Sequence, residues 1–401
     1  MESRLLNSQE EKEAALYEYD IQVLQNLILG YHTEKATLSS QKLMFINQAH
    51  RSALFTAYFE KTPEDGLIRN FSETRQMGDL LIVIPDPNDR QTLFLLLFLP
   101  GDNVLSAQPY LRKTAEELVS FLEHQGYPCL LGISSVHSDL SQLKDAFLES
   151  TGALNRQPVS SAFLPGVYEN QDTEQRLIHW DRQDEFLFRI ESGSSEETAV
   201  LTDLLFQYYE SVPDFTLADA KYHCYLLSVE CRRLLSDYLN QPDARNDSES
   251  MQNVTRHIFR IAELKKYYRQ FFLNLAGLMK EQTVYSQEDV IENIRIYMER
   301  NYQKDLTQEF ISCLFYINRS YLSTLFKART GEKFVDYLNN IRIEKAKELL
   351  SGSDRRMYQI AKSVGYDNVK YFFRIFKKKT GMTPEQFRAE VPLQTDSGSC
   401  L

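Results

Sequence analysis

The chain lacks the patterns that metal centres, disulfide scaffolds and membrane spans require. Its five cysteines are scattered, with no CxxC and no Cys/His spacing of the kind zinc needs. Cys224 and Cys231 are the nearest pair. On a helix they stand roughly 10 Å apart along the axis, beyond disulfide reach. Reduced thiols in a reducing compartment follow. The seven histidines are equally dispersed, so neither a metal nor a cofactor is expected. The longest apolar run, Leu93 to Leu99, falls far short of the ~20 residues of a membrane helix. The opening Met-Glu-Ser-Arg turns polar and acidic, unlike a secretion signal. A soluble, cytoplasmic protein is expected, with no membrane contact within this chain.

What is present is uneven. The net charge of −11 argues against a nucleic-acid partner until it is divided. Tyr285 to Glu390 hold 19 Lys+Arg against 14 Asp+Glu, whereas residues 1–284 hold 26 against 41. A basic C-terminal module on an acidic body suits a module that meets phosphate and a body that does not.

That module carries one helix–turn–helix pattern twice. Asn318 opens the first copy and Thr330-Gly331 ends it; Asn368 and Thr380-Gly381 do the same fifty residues later. Asparagine is a strong N-cap and glycine a strong stop. Ahead of the first copy an amphipathic helix spans Glu288–Asn301, and Asp305 opens a short one. In the first copy Tyr321, Leu322, Leu325 and Phe326 are expected to face the core. Arg319, Ser320, Ser323, Thr324 and Lys327 are left outside. In the second, Phe372, Ile375 and Phe376 are inward, and Val369, Lys370, Phe373, Arg374, Lys377 and Lys378 outward. Short polar and basic side chains suit base edges and phosphates. A longer helix, about Lys333–Leu350, lies between the copies.

The spaced set Ile360-Ala361, Val364-Gly365-Tyr366, Tyr371-Phe372, Arg374, Phe376-Lys377-Lys378, Thr380-Gly381-Met382 and Pro384 resembles the DNA-binding domain of the AraC/XylS transcription regulators. Tyr337-Leu338, Ile341-Arg342-Ile343, Ala346 and Leu349-Leu350 resemble that family's linker helix. Ser312, where alanine is usual, and the bulky Leu314-Phe315-Tyr316 turn depart from the pattern. The resemblance covers about a quarter of the chain. It implies an all-α domain with two reading helices on double-stranded DNA.

The body reads as α/β. Strands are expected at Ala53–Phe59, Leu80–Ile84, Leu93–Leu99 and Cys129–Ser135, with helices at Pro109–Gln125 and Asp139–Leu154. Pro85 to Gln91 reads as a hairpin turn. This order resembles degenerate nucleotide-cyclase (GGDEF-type) domains, without the Gly-Gly-acidic hairpin that would hold metal and nucleotide. Asp86 and Asp89 therefore read as turn residues. Glu185–Ile190 reads as a strand; Glu196–Tyr209 and Leu217–Leu239 read as helices. Trp180 beside His179 fits a pocket or a core. Two heptad-spaced runs stand out. One is Ala14, Tyr17, Ile21, Leu24, Ile28 and Tyr31. The other is Met251, Val254, Ile258, Ile261, Lys265, Tyr268, Phe272, Leu275 and Met279. Each fits a dimer seam or a face packed inside its own chain.

The expected fold is multidomain: an α/β or α+β regulatory region, a helical connector and an all-α domain with two helix–turn–helix motifs. The expected segments are 1–50 helical, 51–160 cyclase-like, 161–248 a mixed second regulatory region, 249–284 a connector helix that is either a dimer seam or packed within its own chain, 285–391 the DNA-binding domain and 392–401 a tail. The function expected is a sequence-specific transcriptional regulator, not an enzyme, controlled by ligand, partner or upstream sensor. Its expected partners are double-stranded DNA, a second copy, RNA polymerase and a small-molecule effector. The rival readings are a signalling cyclase-like enzyme and a protein-interaction scaffold.

Overall fold

The computed structural model describes residues 2–31, 37–44, 46, 51–64, 66–74, 80–99, 107–160, 162–169, 176–239, 254–280, 285 and 289–390. The segment Gln241 to Ser250, Met251 and the tail 392–401 lie outside them. The chain divides into two units, Met1–Glu281 and Gln282–Leu401.

In the first unit, β1 (Ser52–Phe59), β2 (Leu81–Pro85), β3 (Thr92–Phe98), β4 (Cys129–Ile133) and β5 (Gly166–Glu169) form one sheet in the order β2-β3-β1-β4-β5. β1 is antiparallel to both its neighbours, β3 and β4, and β5 runs parallel to β4. Helices cover both faces, so every residue of β1 is buried and no polar alternation shows in its sequence. The two-residue period still sorts the side chains. Phe55, Phe59, Leu95 and Leu97 pack with Ile68 and Phe71 of α2 (Leu67–Thr74) and with α3 (Ala107–His124). Leu54, Phe94, Leu96 and Phe98 pack beneath α1 (Glu2–Leu29) and α4 (Leu143–Leu154). At Gly132 a Cβ would stand 2.0 Å from the Ser150 carbonyl oxygen, so glycine is what lets α4 approach β4.

The hairpin expected at Pro85–Gln91 joins β2 to β3. Asp89 closes it, accepting from the Gln91 amide at 3.0 Å and the Thr92 hydroxyl at 2.6 Å. Asp86 accepts from the Asn88 amide at 2.9 Å. Its second oxygen faces His257 Nδ1 at 3.6 Å. Burial raises the Asp86 carboxyl and lowers the His257 imidazole, each favouring its neutral form.

The rest of this unit is helical: α5 (Gln183–Glu191), α6 (Ser195–Ser211), α7 (Leu217–Leu239) and α8 (Ile261–Lys280). Glu185–Ile190 is thus helix, not strand. Its short alternation misleads because Phe186 and Ile190, four residues apart, reach one core. Trp180 is buried in that core, its ring 5.8 Å from Phe186. His179 points away, its side chain 85% exposed, so the two make no shared pocket.

Both heptad runs are used in part inside the unit, with Val254 exposed. Leu24 and Ile28 pack on the sheet, Ala14 and Tyr31 are exposed, and the buried Asp20 carboxylate accepts from the Ser39 and Ser40 amides at 2.9 and 2.7 Å. Ile261, Leu264, Tyr268, Phe272, Leu275 and Met279 are buried with residues of α5, α6 and α7. Lys265, the charged member of the run, pairs with Asp203 at 2.8 Å. Of the two readings of the connector face, its described residues follow packing within the chain, against neighbouring helices that carry apolar stripes to match.

The second unit is all helix: α9 (Val290–Asn301), α10 (Gln308–Leu314), α11 (Arg319–Thr330), α12 (Phe334–Gly352), α13 (Met357–Ser363), α14 (Val369–Thr380) and α15 (Pro384–Glu390). Thr307, rather than the expected Asp305, caps α10, its hydroxyl accepting from Phe310 N at 3.0 Å.

Candidate nucleic-acid interface

α11 and α14 are built alike from their caps inward. Asn318 accepts from the Ser320 and Tyr321 amides at 2.9 and 3.3 Å. Asn368 accepts from the Tyr371 amide at 3.1 Å. Each bond satisfies an amide that the first turn leaves without a partner. At the far ends Gly331 (φ +78°) and Gly381 (φ +84°) take the left-handed conformation that a side chain resists. The hydroxyls of Thr330 and Thr380 donate to the carbonyls of Phe326 and Phe376 at 2.7 and 2.8 Å. Inside, Leu322 and Phe326 in one copy, and Phe372 and Phe376 in the other, are fully buried.

The helices that precede them are offset by forty-nine residues rather than fifty, so the second turn is one residue longer. The first turn bends at Tyr316 (φ +51°), the second at Gly365 (φ +92°). Tyr316 is 68% exposed, which lets a large side chain occupy the left-handed position without a steric neighbour problem. Gly365 has no such freedom. A Cβ there would lie 2.7 Å from the Tyr302 carbonyl oxygen and 2.9 Å from the Arg342 guanidinium.

Arg342 explains that crowding. It projects from α12, donates to the carbonyls of Tyr302 and Lys304, both at 2.8 Å, and stacks over the Tyr366 ring at 5.2 Å. The Tyr366 hydroxyl in turn donates to Asn339 of α12 at 2.8 Å. One buried cation thus ties the loop after α9 to the turn between α13 and α14. Burial lowers its guanidinium from the usual arginine range, yet arginine remains charged. Arg342 was absent from the expected site because a charged residue inside an apolar stripe reads as an exception. That exception was the signal.

The outward faces differ from expectation in three places. Tyr321, expected inside, is 59% exposed, because Leu322 and Phe326 define the core line and Tyr321 stands about 100° off it. Val369 and Phe373, expected outside, are half-buried and pack against the second core, with the Phe373 ring 6.0 Å from Phe372. They fall at the helical spacing of Phe372 and Phe376, where the first copy has Arg319 and Ser323. The remaining residues are exposed as expected: Arg319, Ser320, Ser323, Thr324 and Lys327 on α11, and Lys370, Arg374, Lys377 and Lys378 on α14. Lys379, unremarked in the sequence although it completes a lysine run, is exposed with them.

Electrostatically the faces are unequal. Arg319 is bound to Glu309, and Arg329 to Asp289. The Glu292 amide and then Arg329 hold the Asp289 carboxyl below its ordinary range. Thr324 donates to the Ser320 carbonyl at 3.0 Å. On α14, Arg374 stacks over the exposed edge residue Tyr371 at 5.0 Å. None of Lys370, Arg374, Lys377, Lys378 and Lys379 is ion-paired among the described residues. No group of three His, Cys, Asp or Glu side chains among the described residues could hold a metal ion, and none of their helices is long and apolar enough to cross a membrane.

Residues 314–390 match the family model described as a helix-turn-helix domain. Over 109 residues the chain is 37% identical to the HTH-type transcriptional regulator YijO of Escherichia coli (strain K12), covering 27% of this chain and 38% of YijO. Over 77 residues it is 44% identical to the transcriptional regulatory protein YesN of Bacillus subtilis (strain 168), covering 19% of this chain and 21% of YesN. Among solved structures, the C-terminal domain of the two-component response regulator yesN from Fusobacterium nucleatum is 39% identical, with a TM-score of 0.23, covering 25% of this chain and 94% of that one. The chain thus spans well under half the length of these two curated relatives. Its C-terminal unit carries an AraC-type, DNA-binding helix-turn-helix domain. The cyclase-like resemblance of residues 53–154 lies outside the family match and rests on those residues alone.

Proposed function

We propose that this protein is a sequence-specific transcription regulator in which α11 and α14 read successive major grooves on one face of a duplex, about 34 Å apart. The observation that carries the reading is the matched pair of capped helices with small polar or cationic side chains on their outer faces. In this assignment Arg374, Ser320, Ser323 and Thr324 approach base edges. Lys327, Lys370, Lys377, Lys378 and Lys379 meet phosphates. Arg319 does so on release from Glu309. Val369 and Phe373 shape the edge of the second helix rather than projecting from it. Tyr371 holds Arg374 in place. Arg342 fixes the two halves against each other and so sets the spacing.

The first unit is the regulatory part, biased by a ligand, a partner or an upstream sensor. Its sheet is a catalytically silent cyclase-like scaffold in this reading. Asp89 and one oxygen of Asp86 are engaged in hydrogen bonds of the turn, the role the turn reading gives them. RNA polymerase contact belongs to the same proposal. A second copy would double the site through a surface other than the apolar stripe of α8.

Selection of bound duplexes from a random pool tests the reading. An enriched sequence with two half-sites about one helical turn apart is the expected result. Equal retention of all sequences at two salt concentrations would sink it. Incubation with GTP and ATP addresses the enzyme alternative, and cyclic or linked nucleotide products would establish it.

A further inference from the structure

The first unit contains a cavity of about 330 Å³ between α4 and α7, bordered also by Thr255, Arg256 and α8. α4 covers the sheet, whereas α7 and α8 belong to the helical core, so the cavity lies where the two halves of the unit join. One side chain there is out of balance. Lys221, on its wall, donates to Asn155 Oδ1 at 2.7 Å and lies over the Phe259 ring at 5.5 Å. An ammonium has three donors, and the amide oxygen takes one. No carboxylate among the described residues pairs with it. Arg256 lines the same cavity with Tyr222, Tyr225 and Tyr268, and no acidic residue among the described residues lines it.

We infer that this cavity binds a small organic anion, a carboxylate or a phosphate ester, with its charged end toward Lys221 and Arg256 and its body against the tyrosines. The volume corresponds to about eleven waters at ~30 Å³ each, at the small end of ligand sites. A ligand of about ten non-hydrogen atoms fits that space. A half-buried cation facing only neutral partners is costly. Burial here lowers the Lys221 ammonium to about 7. An arriving anion supplies the missing counter-charge. The bond to Asn155 alone would account for the lysine, but not for the empty space and the second cation on its wall. The inference deepens the regulatory reading and rests on it for its consequence: a ligand touching α4, α7 and α8 together can bias how the sheet and the helical core sit against each other.

Titration calorimetry of the full chain, with no DNA present, tests this with two matched pairs of probes. Benzoate is compared with benzyl alcohol, and glycerol 3-phosphate with glycerol. At least one anion is expected to bind at least tenfold more tightly than its neutral counterpart. Lys221→Met should weaken that anion at least tenfold, and Arg256→Gln at least threefold. Arg256→Gln stands as the second variant should Lys221→Met not fold. Equal binding of charged and neutral probes, no binding by either anion, or full affinity retained in a folded variant would overturn the inference. Duplex binding is read separately. Anion binding without duplex binding would leave this site standing and remove the regulator; the reverse would do the opposite.

Discussion

The two helix pairs of the C-terminal unit share their scaffold and differ in their surfaces. Caps, buried residues and stops recur in register from α11 to α14. The turns and the outer faces do not. The first pair bends at an exposed tyrosine and the second at a glycine pressed against Arg342. The first has two of its cations tied to Glu309 and Asp289 and shows short hydroxyl side chains between them. The second presents five cations with no ionic partner among the described residues. A duplicated core requires the same apolar positions in both copies, because each must fill the same space. Nothing requires the same of the exterior, so under the proposed reading the copies can divide the work, with more hydrogen bonding in the first and more attraction to phosphate in the second.

The largest expected effect tests the turns. Gly365→Ala introduces a side chain both into the left-handed region and against the Tyr302 carbonyl and Arg342, and should cost about 2–5 kcal/mol. Urea unfolding followed by helical signal measures it. A cost under ~1 kcal/mol would mean that the two turns are equivalent after all.

The next divides the charge. Replacing Lys377, Lys378 and Lys379 with alanine should flatten the dependence of log affinity on log salt by about 2–3 units, at about 0.9 per phosphate contact. Replacing Lys327 and Arg329 should flatten it by only about 1, because Arg329 is already neutralised by Asp289. Equal slopes from filter binding across a salt series would erase the proposed asymmetry.

Base reading gives a smaller difference. Arg374→Ala should weaken the selected duplex by about 1–3 kcal/mol and relax one position of the site. Thr324→Ala, at the equivalent place, should cost about 0.5–1.5 kcal/mol, the range of a neutral hydrogen bond. Competition with single-base variants would show the order reversed if α11 is the dominant reader.

The smallest effect returns to the turns. Tyr316→Gly removes about 1–2 kcal/mol of left-handed strain. It adds up to about 1 kcal/mol of glycine's unfolded-state entropy. A stability change of about 1 kcal/mol or less is expected. A large loss would reveal that the tyrosine side chain holds the turn.

Most of the C-terminal unit was legible because its helices announce themselves locally, through Asn caps, Gly stops and apolar spacing. The orientation of residues at the edge of a stripe was not legible. Tyr321 turned out and Phe373 partly in, since a step of ~100° per residue leaves flanking positions to be decided by whatever packs beside them. In the first unit four strands of the sheet were readable as apolar runs, and Leu217–Leu239 as a helix, whereas the short, half-buried β5 was not. Glu185–Ile190 was not, because six residues are too few to separate a period of two from one of 3.6.

Sequence alone determined the duplicated helices, the basic module on an acidic body, and the cations that face outward. Tertiary structure decided what an apolar stripe is for. The α8 run could have joined two chains, but it closes the core of its own unit, because burial is non-directional and takes the nearest matching surface. It also decided which charges are available. Ion pairs such as Arg319–Glu309 and the loop carbonyls held by Arg342 bring together residues that no spacing rule places side by side.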